Sequence, residues 1–229
     1  MDQLIFKFPF SKKYYEQDFF VSSNNFSAYK LVESWPTWPG KWLNIFGAPG
    51  SGKTHLAKIL QKKIERIKLI DALHVNDEIV NDLNILDCLI IDNFSNNIDE
   101  KLLYSILNQS KQLDNYVLIN SITSINNINF KLKDLKSRIN SFLFIGIELP
   151  TDDLLKVIIS KTFSDKQISI NPKISEFIIK NIERSYEKMF KFLKDVDDLS
   201  LSTGKSININ LIKKLLDQWI NIEHIIAQN

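Results

Sequence analysis

The sequence predicts an α/β fold, with a mostly parallel sheet flanked by helices and then a small all-helical lid. Two observations lead there. Through the first two thirds, short apolar runs alternate with stretches of helical periodicity, the pattern of a parallel sheet covered on both faces. From Pro150 onward the strand pattern stops and only helical spacing remains. The chain has 229 residues, 44% hydrophobic and 24% charged. That is enough to bury a core without disulfide or metal staples. The predicted organisation is a terminal peptide over 1–12, an α/β core over 13–150 and a helical lid over 151–229.

The elements follow in order. A helix over 24–34 precedes a buried strand over 42–46, Trp42-Leu43-Asn44-Ile45-Phe46. A helix over 53–66 leads to a strand over 68–72. The connection from Ala72 to Leu86 is short, and the strand over 87–92 follows it. A helix over 99–113, a strand over 116–120, a helix over 131–139 and a strand over 142–148 complete the core. Lid helices are predicted over 151–163, 172–182, 184–201 and 208–226. Thr151-Asp152-Asp153 and Asn171-Pro172 have the chemistry of helix starts, and Gly204 that of a stop. Trp35, Trp38 and Trp42 are expected to pack the lead-in segment on the core. Trp219 lies in the apolar stripe of the last helix with Leu211, Leu215 and Ile222. There is no internal repeat.

Composition narrows the function. A single cysteine, Cys88, excludes a disulfide framework and a multi-cysteine zinc site, and is expected to be a buried inert thiol. Three scattered histidines do not build a metal centre. A net charge of +2 gives no field for steering nucleic acid. The lysines at 62, 63 and 68, and at 131, 133 and 136, are read as solvated faces. No apolar run approaches the roughly 20 residues that span a bilayer, and the N-terminus lacks signal-peptide features. A cytoplasmic protein without membrane attachment is expected. Arginine is rare: of the 29 basic residues only Arg66, Arg138 and Arg184 are arginine. Each is informative, because its planar fork of donors is one that lysine cannot copy.

Glycine is clustered instead. Gly47-Ala48-Pro49-Gly50-Ser51-Gly52-Lys53-Thr54 matches G-x-x-x-x-G-K-[ST], between a predicted strand and a predicted helix. Backbone N–H groups of such a loop wrap a phosphate, the lysine reaches the outer phosphates and the threonine hydroxyl ligates magnesium. His55 follows directly and is counted with the loop among the expected nucleotide-binding residues; with no partner acid or nucleophile in the sequence, its other reading is a cover for the helix start. A second strand, Leu89-Ile90-Ile91, ends in Asp92, placed to hold the magnesium ion with Thr54. The next residue is Asn93. An amide orients water but cannot take its proton, so weak hydrolysis at this chain's own site is expected unless another residue supplies the base.

A P-loop core followed by a helical lid resembles the AAA+ class of ATPases. Within that class the chain is similar to the DnaA branch, and in that branch to the short Hda-like homologues that inactivate DnaA. Asp18-Phe19-Phe20-Val21-Ser22-Ser23-Asn24 resembles the segment that lies over the adenine, which implies nucleotide contacts from Phe20 and Val21. Trp35-Pro36-Thr37-Trp38-Pro39-Gly40 is similar to the Trp-Pro lead-in of such proteins, and Ile91-Asp92-Asn93 to their Asp-Asn form of Walker B. Val117-Leu118-Ile119-Asn120-Ser121 resembles the sensor 1 strand, which implies that Asn120 faces the γ-phosphate. Leu135-Lys136-Ser137-Arg138 resembles box VII, which implies that Arg138 is a finger acting in trans. Glu183-Arg184-Ser185-Tyr186 resembles the start of the sensor 2 helix, with Arg184 or Lys188 reaching the nucleotide. Gln3-Leu4-Ile5-Phe6-Lys7-Phe8 resembles the peptide that docks on the sliding clamp, through Gln3, Leu4, Phe6 and Phe8.

The resemblance implies ADP or ATP with Mg2+ as cofactors. It implies DnaA and the β-subunit clamp of DNA polymerase III as partners, DNA reached indirectly through the clamp, and room for a homo-oligomer. The implied activity is to promote hydrolysis of DnaA-bound ATP at the DNA-loaded clamp. The last residue, Asn229, comes directly after the last lid helix, so no origin-reading domain is expected. The other readings are a DNA-binding switch of the helicase-loader or accessory-factor kind, and a tether between DnaA and the clamp that adds no chemistry.

Overall fold

The computed structural model describes residues 16–227. The chain divides near Leu149 into two compact units. In the first, helix α1 (Phe26–Glu33) precedes β1 (Trp42–Gly47) and α2 (Lys53–Lys63). Strand β2 (Ile67–Asp71), helix α3 (Glu78–Asp82), β3 (Cys88–Phe94) and α4 (Glu100–Gln112) follow. Strand β4 (Tyr116–Ser121), helix α5 (Lys133–Ile139) and β5 (Leu143–Ile147) complete the unit. All strands are parallel, in the order β2-β3-β4-β1-β5. The predicted core elements are all present with shifts at their ends. The addition is α3, which with its flanking 3-10 turns fills the stretch read as a plain connection. Only five residues long, it presents too little periodicity to be seen in sequence.

Alternation along the strands builds two hydrophobic layers. Leu89 and Ile91 of β3 join Val117 and Ile119 of β4 on one face. There they pack with Leu103, Ile106 and Leu107 of α4 and Leu135 and Ile139 of α5. Cys88, Ile90 and Leu118 point to the other face, onto Ala28 and Val32 of α1 and Leu56, Ile59 and Leu60 of α2. Two buried layers explain why the strands read as continuous apolar runs. Asn44 of β1 breaks that run. Fully buried, its Nδ2 donates to the Ile119 carbonyl at 2.8 Å and to Ser121 Oγ at 2.9 Å, and its Oδ1 accepts from the Ile125 N–H at 3.1 Å.

The second unit is helical: α6 (Asp152–Ser164), α7 (Pro172–Asn181), α8 (Tyr186–Thr203) and α9 (Ile209–Ala227). Its core includes Leu155, Ile159, Phe163, Ile178, Met189, Phe192, Leu193 and Ile212. The Thr151, Asn171 and Ser185 side chains cap α6, α7 and α8 by accepting backbone N–H groups. Gly204 ends α8 at φ 64, a left-handed conformation that glycine adopts without a Cβ penalty. Trp219 packs edge-on against Phe192 and donates its indole N–H to Asp195 at 3.0 Å. Among the described residues no helix is long and apolar enough to cross a membrane.

Candidate nucleotide-binding site

The loop from Gly47 to Gly52 joins the C-terminal end of β1 to α2, with Pro49 at its exposed tip. Close approach dictates two of its glycines. A Cβ at Gly47 would lie 2.8 Å from the Ile147 carbonyl oxygen, and one at Gly52, where φ is +99°, 2.9 Å from the Phe19 ring. Lys53 opens α2 and is turned back into the loop. Its ammonium donates to the carbonyls of Gly47 at 2.7 Å and Ala48 at 3.0 Å, and to Ser51 Oγ at 3.4 Å. Burial pushes the Lys53 ammonium below the usual lysine range, and the charge of Asp92 opposes that shift.

Three elements converge on the Asp92 carboxylate. Thr54 of α2 donates its hydroxyl to Asp92 Oδ2 at 2.7 Å, and Asn120 of β4 donates Nδ2 to Asp92 Oδ1 at 3.0 Å. A carboxylate only accepts, so the Asn120 amide has one orientation here. Its Oδ1 is left buried with no partner among the described residues. The strand order accounts for the meeting, since β3 and β4 are neighbours and β1 delivers α2 beside them.

Asn93 is not part of that group. It is exposed, at φ 58, where the β3–β4 register slips between Ile91 and Phe94. Its Nδ2 donates to Asp71 Oδ2 at 2.6 Å. That bond, with the Leu73 N–H, holds the Asp71 carboxyl below its usual range.

The arginines divide. Arg66 pairs with Asp87, and Arg184 with Asp152 inside the helical unit. Arg138, half-buried on α5, donates Nη2 to Asn108 Oδ1 of α4 at 2.8 Å. Lys188 pairs with Glu183.

No protein-family model matches the chain. It is 27% identical over 235 residues to the chromosomal replication initiator protein DnaA of Buchnera aphidicola, covering 91% of this chain and 53% of that protein. The chain spans about half the length of the DnaA relatives it matches. Among solved structures, domain III of Thermotoga maritima DnaA superposes with a TM-score of 0.72 at 18% identity, over 92% of this chain and 98% of that one. AMPPCP-bound DnaA from Aquifex aeolicus gives 0.66 at 18% identity, over 82% and 66%. The fold is that of a DnaA-like AAA+ domain.

Within the DnaA-like fold, the residues expected at the nucleotide fall into groups. Gly47, Ala48, Pro49, Gly50, Ser51, Gly52, Lys53 and Thr54 form one loop, and Asp92 and Asn120 join it through Thr54. Phe20 is 43% exposed and Val21 half-buried. The ring against the loop is Phe19, which lies over Gly52, edge-on to His55 at 5.3 Å and stacked with Tyr29 at 5.8 Å. The Phe19-Phe20 pair signals an aromatic in sequence, but only the chain direction at its start decides which ring faces inward.

The clamp-peptide residues Gln3, Leu4, Phe6 and Phe8 lie outside the described residues. Cys88 is buried in the sheet, where desolvation raises its thiol pKa far above the usual range. Trp35 and Trp38 pack with Tyr116 at ring distances of 4.2 and 5.6 Å. Lys63 pairs with Glu33 and Glu16, and Lys68 with Asp82, so these lysines are matched by acids.

Proposed function

We propose that this DnaA-like AAA+ chain is an Hda-like regulator. It binds ADP or ATP in the Gly47–Thr54 loop and presents Arg138 in trans to ATP held by DnaA at the DNA-loaded sliding clamp. Hydrolysis of that ATP would turn initiation off. The observation carrying the reading is Arg138. Of the three arginines it alone pairs with no carboxylate among the described residues, and its guanidinium donates to a neutral amide. A guanidinium whose charge is not neutralised is suited to stabilise charge developing on a transferring phosphoryl group.

The residues fit a nucleotide. The glycine cradle, the inward-turned ammonium of Lys53 and the unpartnered Asn120 Oδ1 are polar groups that a polyphosphate and its coordination shell would engage. Thr54 and Asp92 are oxygen donors of the kind Mg2+ prefers. When bound, that ion would offset phosphate charge. Asn93 supports a weak hydrolytic site, because its amide is committed to Asp71 and cannot accept a proton. Arg184 or Lys188 in the helical unit, and Phe20 and Val21 near the loop, belong to the same reading as nucleotide contacts. Gln3, Leu4, Phe6 and Phe8 belong to it as the clamp anchor.

The test is decay of labelled ATP pre-bound to the cognate DnaA, with clamp-loaded DNA, with and without this protein. Acceleration should vanish in Arg138→Ala and weaken when Gln3 and Leu4 are replaced. No acceleration with active DnaA and clamp would remove the reading and favour a loader-type switch. Full acceleration by Arg138→Ala would leave a tether.

A further inference from the structure

We infer that Asn108 is the positioning residue of Arg138, and that its being an amide rather than an acid keeps the guanidinium free for a phosphoryl group on a neighbouring subunit. The inference rests on the trans-finger reading of Arg138.

Helix α5 is only seven residues long, well below the roughly 12–15 at which a helix holds itself in water. Its N-cap residue, Leu132, supplies no side-chain cap. What holds it is α4, at both ends. Glu100 accepts the Lys131 N–H at 3.0 Å through Oε1 and the Leu132 N–H at 2.7 Å through Oε2. Between the ends, Leu135 and Ile139 sink into the layer formed by Leu103, Ile106 and Leu107. Two turns beyond Glu100 on α4, Asn108 takes Arg138 Nη2 at 2.8 Å. The guanidinium is thus fixed to α4 rather than left at the end of a mobile stem.

The chemistry of the acceptor decides the rest. Arginine carries five N–H donors. One bond to an amide oxygen orients the plane, leaves the full positive charge, and leaves donors for incoming phosphate oxygens. A carboxylate in the same place would pair with the fork and offset its charge, as Asp87 does for Arg66, while Asp152 pairs with Arg184 through Nη2 alone.

The discriminating variant is therefore Asn108→Asp, which has nearly the same shape. With saturating protein in the DnaA-bound ATP decay assay, it should lower the stimulated rate constant by roughly 10²-fold, the order lost when one group that stabilises the developing charge is removed. Its melting temperature should be unchanged or higher, and the protein concentration giving half-maximal stimulation should stay the same. Asn108→Ala should lose rate through the missing anchor, and Asn108→Gln should recover part of it. Asn108→Asp combined with Arg138→Ala should be no slower than Arg138→Ala alone. Wild-type stimulation by Asn108→Asp, while Arg138→Ala is inactive, would overturn the inference and leave the finger standing. Wild-type stimulation by Arg138→Ala would overturn both. A lowered melting temperature with parallel loss in all variants would reduce Asn108 to a packing role.

Discussion

Replacing Asn44 by alanine should destabilise the α/β unit far more than a surface amide would. The side chain is fully buried, donates twice to β4 and accepts the Ile125 N–H at 3.1 Å. Alanine leaves that N–H, on a residue itself fully buried, without its acceptor, which costs about 1–3 kcal/mol. Ser121 Oγ keeps its own donation to the Thr123 carbonyl and loses only an incoming bond. That loss and the one at the Ile119 carbonyl add about 0.5–1 kcal/mol each. The sum is about 2–5 kcal/mol, and a water entering the gap would bring it toward the lower end. Urea unfolding followed by tryptophan fluorescence is the assay, because Trp35, Trp38 and Trp42 all lie in this unit. With a slope of roughly 2 kcal/mol/M the midpoint should fall by about 1–2.5 M. Asn44→Asp should fall further, since it exchanges two donors for a buried charge. A loss below about 1 kcal/mol at unchanged slope would refute the assignment of these bonds as stabilising.

Lys53→Met should abolish the melting shift produced by ADP while leaving the ligand-free melting temperature equal or higher, because the buried ammonium is held below its usual pKa by desolvation. The wild-type shift at a hundredfold excess over Kd should correspond to about 2.7 kcal/mol. Gly204→Ala should cost about 1 kcal/mol from the left-handed φ alone, since nothing lies within 4 Å of its Cβ position; urea titration with Trp219 as reporter measures it. The Asp71 carboxyl, held low by Asn93 and the Leu73 N–H, contributes stability above the ordinary carboxylate range that is lost as pH falls through the depressed native value. Asn93→Ala should raise that value toward normal in an NMR titration; an unchanged value would show that Asn93 does not hold it.

Much of the architecture was legible because its signals are local. Apolar runs marked all five strands, and Thr151, Asn171 and Gly204 marked helix ends, since capping and positive φ depend on residues a few positions away. The glycine loop with Lys53 and Thr54 was readable for the same reason, since spacing along the chain specifies a turn and a helix N-terminus, and Asp92 was readable near the end of β3, which runs on to Phe94. Helix α3 escaped because five residues carry no period, and the packing of Phe19 on Gly52 and His55 is not written in the Phe19-Phe20 pair, since adjacency does not say which of two rings turns inward.

Partnership across the sheet was decided only in three dimensions. That β2 lies beside β3 makes Asp71 the partner of Asn93, and that β4 lies between β3 and β1 brings Asn120 to Asp92 and Asn44 to Ser121. In sequence Asn44 is one polar residue in an apolar strand, and Asn108 one amide on an amphipathic helix. Their meaning comes from what packs against them, the Ile125 N–H for one and the Arg138 guanidinium for the other. Backbone preferences act over a few residues and are written along the chain. The partner of a buried polar group is set by strand order and helix packing, so the sequence by itself determined the loop, the layers and the helix ends, and the tertiary structure alone decided which amide meets which charge.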